Sequence, residues 1–137
     1  MSDITTVILA AGNSTRFKAS KSKLVYPLCG LPIVSHIFNI AKKISGKNIL
    51  IVCNDKNKEE LKLILNTSKL IVQKNQKGTA DAIEQVKKYV KSKNIIILFG
   101  DTPLVEVKDI RKLVSKFKTT KACLLYTSDA ADETERV

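Results

Sequence analysis

Four short stretches of the chain are apolar almost without interruption: residues 6–11 (TVILAA), 47–53 (KNILIVC), 70–72 (LIV) and 94–99 (NIIILF). Such runs fit strands buried on both faces, as in a parallel sheet. The segments between them repeat differently. Residues 32–43 and the position after them place Ile33, Ile37, Ile40, Ala41 and Ile44 on one stripe, with Gly46 as a stop. Residues 58–65 offer Leu61, Ile64 and Leu65. Residues 79–90 offer Ala82, Ile83, Val86 and Val90, with lysines on the far side, and residues 106–117 offer Val107, Ile110, Leu113, Val114 and Phe117. Each reads as an amphipathic helix.

Strand alternating with helix four times predicts an α/β fold, a parallel sheet flanked by helices on its faces. No internal repeat is visible. Ligands of such sheets gather beyond the carboxyl ends of the strands. Two junctions therefore matter most, residues 9–23 after the first strand and residues 99–103 after the fourth.

The chain's 137 residues suit one domain around one core. A net charge of +11 makes polyanions plausible partners, although scattered lysines among Ile-rich and Asn-rich segments are also what codon bias in an AT-rich genome produces. The few aromatics are not interleaved with the lysines, so the stacking platforms of a nucleic-acid-binding module are lacking. Cys29, Cys53 and Cys123 form no C-x-x-C pair and have no histidine cluster beside them, which predicts ordinary buried thiols in the reducing cytoplasm. No basic region precedes the first apolar run, and no run approaches the ~20 residues of a membrane span.

Residues 12–26 are expected to form a non-helical loop, longer than most connections in compact domains. Ala10, Ala11 and Gly12 are small enough for backbone N–H groups to approach a phosphate or a base, and Ser14 and Thr15 add hydroxyls. Arg16 can grip two phosphate oxygens, while Lys18, Lys21 and Lys23 supply mobile positive charge. A solvated lysine-rich loop is the plainer alternative. Neither the P-loop pattern nor the dinucleotide fingerprint is present, because Gly12 has no second glycine until Gly30.

LAAGNSTRF, followed by Lys23 in SKLVYPLCGLPIVSH, resembles the opening of the sugar-phosphate nucleotidyltransferases. Within that superfamily it is most similar to the pyrophosphorylase half of the bifunctional UDP-N-acetylglucosamine pyrophosphorylase/glucosamine-1-phosphate N-acetyltransferases, over residues 4–112. Ser14 and Ser22 depart from the pattern, standing where a glycine and a proline are usual. The resemblance implies a three-layer Rossmann-like nucleotidyltransferase fold with a mainly parallel sheet, incomplete at the C-terminus. It also implies nucleotide contacts at Leu9, Ala10, Ala11, Gly12 and Lys23, with Arg16 and Lys23 in catalytic roles.

A second station is IVQKNQKGTADAI, residues 71–83, where a strand gives way to a helix. The Gln73 amide can pair with both a donor and an acceptor on a base edge. Gly78 would let the chain pass close to a planar base, and Thr79 is a natural helix N-cap. A helix start with nothing bound has the same spacing. The segment is similar to the family's uracil-reading Q-x-x-Q-x-G-T-x-x-A string, which implies nucleotide binding by Gln73, Gly78 and Thr79. The third station is LFGDTPLV, residues 98–105. Asp101 stands where a parallel strand leaves the sheet, a position at which one carboxylate can hold Mg²⁺ beside substrate phosphates; Asp before Thr-Pro is also a common turn former. The family's Y-G-D-x-P-L motif matches with Phe99 in the tyrosine position, which implies nucleotide contacts at Phe99, Gly100 and Asp101 and metal ligation by Asp101. His36, the only histidine, lies on the first helix, where packing or capping explains it better than catalysis.

The implied reaction is uridylyl transfer from UTP to N-acetylglucosamine 1-phosphate with Mg²⁺, a cytoplasmic step of cell-envelope precursor synthesis. The implied full-length protein is a homotrimer, with UTP and a sugar 1-phosphate as partners and neither nucleic acid nor membrane. Another nucleotidyltransferase of the same fold is the nearest rival, whether acting on another sugar phosphate or on a molybdenum cofactor. A final change of composition bears on this: residues 1–121 hold 23 basic and 9 acidic residues, net +14, and residues 122–137 are net −3 without a lysine. Residues 1–122 are expected to be the N-terminal part of the nucleotidyltransferase domain. Residues 123–137 read either as the start of a fifth strand or as a non-native tail, since CLLYTSDAADE resembles a translated sequencing adapter. On the resemblance, the sugar-binding positions and the rest of the metal site would lie further on, so the 137-residue chain alone is expected to transfer little or nothing.

Overall fold

The computed structural model describes residues 3–12, 23–67, 69–75 and 77–120. Ser14, Thr15, Arg16, Lys18, Lys21 and Ser22 lie outside the described residues, as do Cys123 and the rest of the tail. The elements run β1 (Ile4–Leu9), β2 (Pro27–Leu28), β3 (Leu31–Pro32), α1 (Ile33–Ser45), β4 (Ile49–Cys53), α2 (Lys58–Leu65), β5 (Leu70–Val72), α3 (Thr79–Val86), β6 (Asn94–Phe99) and α4 (Val107–Thr120). They fall into two compact units, Met1–Pro103 and Leu104–Val137. In the second unit, the described part of the chain carries α4, whose Ile110 and Val114 are buried.

All four expected strands pair in parallel, in the order β5-β4-β1-β6. Burial on both faces holds for the centre of the sheet. In β1, residues 4–8 are buried throughout, and in β4 Ile51, Val52 and Cys53 are fully covered. The expectation fails at the two edges: β5 is only half-buried, and in β6 Ile95 is 37% exposed and Leu98 alone is buried. A strand paired on one side has no neighbour to shield its other flank.

Helices α1 and α3 cover opposite faces of the sheet. Thr6, with 0% exposure, bonds through its hydroxyl to Ser45 of α1 at 2.8 Å, and Ser45 donates to the Asn48 carbonyl at 2.9 Å. A buried threonine is thus satisfied by the helix that covers it. Its neighbour Val7 points the other way, as alternation requires, into a cluster with Ala11, Val52 and the α3 residues Ala82 and Val86. Two faces covered by different helices give the three-layer Rossmann-like arrangement. The chain moves outward from β1 through β4 to β5, then crosses to the far side of β1 as β6. That reversal creates a switch point between the carboxyl ends of β1 and β6.

Several boundaries differ from the sequence reading. β1 ends at Leu9, so Ala10 and Ala11 belong to the loop. The expected non-helical loop closes with one 3-10 turn, Lys23–Val25, and is followed by an unforeseen hairpin, β2 to β3. Its two turn residues, Cys29 (φ +52°) and Gly30 (φ +83°), both adopt left-handed backbone, the type I′ geometry that matches strand twist. Cys29 is exposed there, against the expectation of buried thiols; Cys53 meets it. α3 stops at Val86 and tightens into a 3-10 turn, Lys87–Tyr89, where the last carbonyls find partners three residues on. His36 fulfils a structural role: its Nε2–H donates to the Leu28 carbonyl at 2.6 Å, tying α1 to the hairpin. Among the described residues no helix is long and apolar enough to cross a membrane.

Candidate active site

The site is assembled at the switch point by register. β1 and β6 pair residue for residue from Ile4↔Asn94 to Leu9↔Phe99, so the two candidate loops leave the sheet side by side. The Gly100 N–H donates to the Leu9 carbonyl at 3.0 Å, one step beyond the paired strands. A Cβ on residue 100 would lie 3.3 Å from that same carbonyl oxygen, 3.4 Å from Leu24 Cδ2 and 3.6 Å from the Ala10 Cβ. Residue 100 therefore has little room for a side chain, and its closeness to Leu24 brings the Lys23–Val25 turn against the same spot. Lys23 is exposed at the head of that turn.

Asp101 follows on an exposed turn. Thr102 closes the turn by donating to the Phe99 carbonyl from both its N–H (3.2 Å) and its hydroxyl (2.9 Å). Leu9, Ala10, Ala11, Phe99, Gly100 and Asp101 are thus brought together, with Gly12 exposed at the loop's outer end. No group of three or more His, Cys, Asp or Glu side chains suited to a metal occurs among the described residues. A single exposed carboxylate fits a cation that keeps water and phosphate oxygens as most of its ligands, and it fits a dedicated protein cage poorly.

What holds the Ala10–Ala11 segment was not legible in the sequence. Two buried asparagines after β4, Asn54 (8% exposed) and Asn57 (3%), interlock: each backbone N–H donates to the other's Oδ1, at 2.9 and 2.8 Å. That exchange fixes which way both amides face. Asn57 Nδ2 then donates to the Ala10 carbonyl at 2.8 Å, and Asn54 Nδ2 to the Ala11 carbonyl at 3.1 Å. In a planar trans peptide, a carbonyl and the following N–H point in opposite directions. Holding the carbonyls of Ala10 and Ala11 inward therefore turns the N–H groups of Ala11 and Gly12 outward, and neither finds an acceptor among the described residues. Directed, unpaired backbone N–H groups make an anion-binding concavity. The signal in the sequence was N-D-K-N before a helix, which reads only as a turn.

The second station lies at the carboxyl end of β5, two strand spacings or about 10 Å along the sheet from β1. The Gln73 N–H extends the ladder to the Cys53 carbonyl at 2.8 Å, and the residue is buried at 5% exposure. Gln73 Nε2 donates to Asp81 Oδ2 at 2.8 Å and to the Gly78 carbonyl at 3.3 Å. The expectation that Gln73 offers a base both a donor and an acceptor is corrected here, because both of its N–H bonds are already taken. The N-cap is likewise Gly78 rather than Thr79, which is the first helical residue and exposed. Gly78 has φ +97° and ψ −173°, a conformation in effect reserved for glycine, with open space where a Cβ would be.

The sequence matches the MobA-like NTP transferase domain over residues 6–135. It is 41% identical to the bifunctional protein GlmU of Buchnera aphidicola subsp. Schizaphis graminum over 125 residues, covering 90% of this chain and 27% of that protein. The chain thus spans about a quarter of the length of the curated relatives it matches. In structure it is similar to a glucose-1-phosphate thymidylyltransferase of Bacillus anthracis solved with a sucrose (TM-score 0.76, 21% identity, 86% of this chain and 51% of that one). It is also similar to a CMP:2-keto-3-deoxy-manno-octonic acid synthetase complexed with CTP (TM-score 0.73, 22% identity, 90% and 50%). With a switch-point loop built to present N–H groups and a sequence match across almost its whole length, the chain belongs to the MobA-like NTP transferase domain family and is a nucleotidyltransferase domain.

Proposed function

We propose that the chain is the nucleotide-binding part of a uridylyltransferase that moves UMP from UTP to N-acetylglucosamine 1-phosphate and releases pyrophosphate. The observation that carries the reading is the pair of outward N–H groups at Ala11 and Gly12 beside Asp101, about 10 Å along the sheet from Gln73 and Gly78. That separation suits a nucleotide with its phosphates at β1 and its base at β5. The similarity to GlmU supports the substrates.

A sugar phosphate oxygen is already an anionic nucleophile. It forms the new bond to the α-phosphorus as the bond to the β-phosphate oxygen breaks, and no general base is needed. The protein's task is to align the two and to neutralise charge on the phosphates. The Ala11 and Gly12 N–H groups bind phosphate oxygens, Lys23 supplies charge from the neighbouring turn, and Arg16 is assigned the same role by the family pattern. Asp101 would hold Mg²⁺, which when bound supplies a Lewis acid and a template for the phosphates. Phe99 and Thr79 border the nucleotide, and the reading carries with it a cytoplasmic homotrimer at full length.

The test is nucleotide-selective thermal protection with Mg²⁺ present. UTP is expected to raise the melting temperature well above the effect of GTP, CTP or dTTP at equal concentration, since a ligand at 100 times its Kd adds about 2.7 kcal/mol of stability. Equal protection by all four would point to a different nucleotidyltransferase, and protection by none would sink the site.

A further inference from the structure

We propose that Asp81 is a positioning residue for base selectivity: it locks the Gln73 amide so that only its oxygen is left for a nucleobase, which favours the imide of a uracil-type ring over cytosine. The inference deepens the uridylyl reading and rests on it.

The amide of Gln73 has two N–H donors and one oxygen. Asp81 Oδ2 and the Gly78 carbonyl take both donors, and because each of these partners can only accept, the amide cannot be turned over without placing oxygen against oxygen. Oε1 is left with no partner among the described residues, in a residue that is 95% covered. A buried amide oxygen without a partner is costly, so a ligand that donates to it gains more than the same bond would give in water.

The base edge decides which ligand that is. Uracil and thymine carry a ring N–H between two carbonyls, and that N–H can donate to Oε1. Cytosine has a bare ring nitrogen at the same position, so two lone pairs would meet. An unlocked glutamine could rotate its amide and serve either base. The lock is local and cheap to form, because Asp81 lies in the first turn of α3, where the helix dipole also favours a carboxylate. Sequence spacing conceals it: Gln73 and Asp81 are eight residues apart, on a strand end and a helix, joined by a turn whose Gly78 backbone supplies the second acceptor.

The experiment compares Kd for Mg·UTP and Mg·CTP by calorimetry, on the unaltered protein and on Asp81→Ala, Asp81→Ser and Asp81→Asn, each checked for folding by circular dichroism. Serine keeps a polar group in the first turn but is too short to reach Gln73, so it serves if the alanine variant does not fold. Asparagine keeps an acceptor for Gln73 but adds a donor, so it holds the amide less exclusively than the carboxylate. The expected result is a UTP preference in the unaltered protein that shrinks about tenfold in Asp81→Ala or Asp81→Ser, with CTP gaining affinity, and that Asp81→Asn retains in part. A folded Asp81→Ala or Asp81→Ser protein with an unchanged UTP-to-CTP ratio would overturn the inference and leave the uridylyl reading standing. Failure of the unaltered protein to prefer UTP would overturn both.

Discussion

The Asn57 side chain and the Ala10 carbonyl, 47 residues apart in sequence, are joined by a 2.8 Å hydrogen bond that sets the direction of the loop's next N–H group. Asn57→Asp keeps an oxygen for the Asn54 N–H and replaces the donor by a second oxygen facing the Ala10 carbonyl. The expected cost is at least about 1 to 3 kcal/mol of stability, from the carbonyl left unsatisfied in the interior and the carboxylate buried against it. Nucleotide affinity should fall by at least tenfold, measured by calorimetry at a temperature where the variant is fully folded. Full UTP affinity in a destabilised Asn57→Asp protein would show that the asparagine pair supports the fold without aiming the loop.

Gly100 should tolerate a side chain poorly, and more poorly as that side chain grows. Alanine places a Cβ 3.3 Å from the Leu9 carbonyl oxygen, and valine adds two methyl groups to a space bounded by Leu24 and Ala10. Gly100→Val is expected to cost about 1 to 3 kcal/mol, with Gly100→Ala below it. Urea unfolding of both variants would reveal the order; equal stability for glycine and valine would contradict the crowding.

The hairpin tip offers a gain. Cys29 holds a left-handed conformation that costs a non-glycine residue roughly 1 to 2 kcal/mol and that asparagine tolerates better. Cys29→Asn, which creates the favoured Asn-Gly turn, should stabilise the chain by about 0.5 to 1 kcal/mol, read as a rise in melting temperature. It also removes the exposed thiol. A fall in melting temperature would mean that the cysteine side chain makes a contribution of its own.

Cys53 gives the fold a pH dependence on the alkaline side. Burial pushes its thiol up to about 11, the charge of Lys58 offsetting only part of the effect. In the unfolded chain the thiol gives up its proton near pH 8.5, whereas the folded protein keeps it until about pH 11. Within that window the folded state binds more protons, so its stability falls as pH rises. Stability measured from pH 8 to 10.5 should decline less steeply in Cys53→Ala than in the unaltered chain, although alanine lowers the starting value. Parallel slopes would remove the thiol as the cause.

Much of the fold was legible in the order of residues, and the reasons are particular. LIV at 70–72 and NIIILF at 94–99 sit at the strands they predicted, and KEELKLIL at 58–65 matches α2 to the residue, because uninterrupted apolar runs and 3-to-4 spacing report burial directly. The motifs also placed Leu9, Ala10, Ala11 and Asp101 at strand ends, where a parallel sheet gathers ligands. Boundaries were less certain. TVILAA continues apolar past the last strand residue, since alanine suits a tight loop as well as a strand.

By itself, then, the sequence determined the class of fold, the run of strands and helices, and the neighbourhood of the site, all of which depend on local pattern. Tertiary structure alone decided that β6 returns beside β1, that Asn54 and Asn57 hold two loop carbonyls, and that Asp81 takes the donors of Gln73. Each of these is a hydrogen bond or a pairing between segments far apart or out of step along the chain. Periodicity carries no trace of such contacts, because an asparagine that aims a phosphate loop and one that merely turns the chain read alike until the partner is in place.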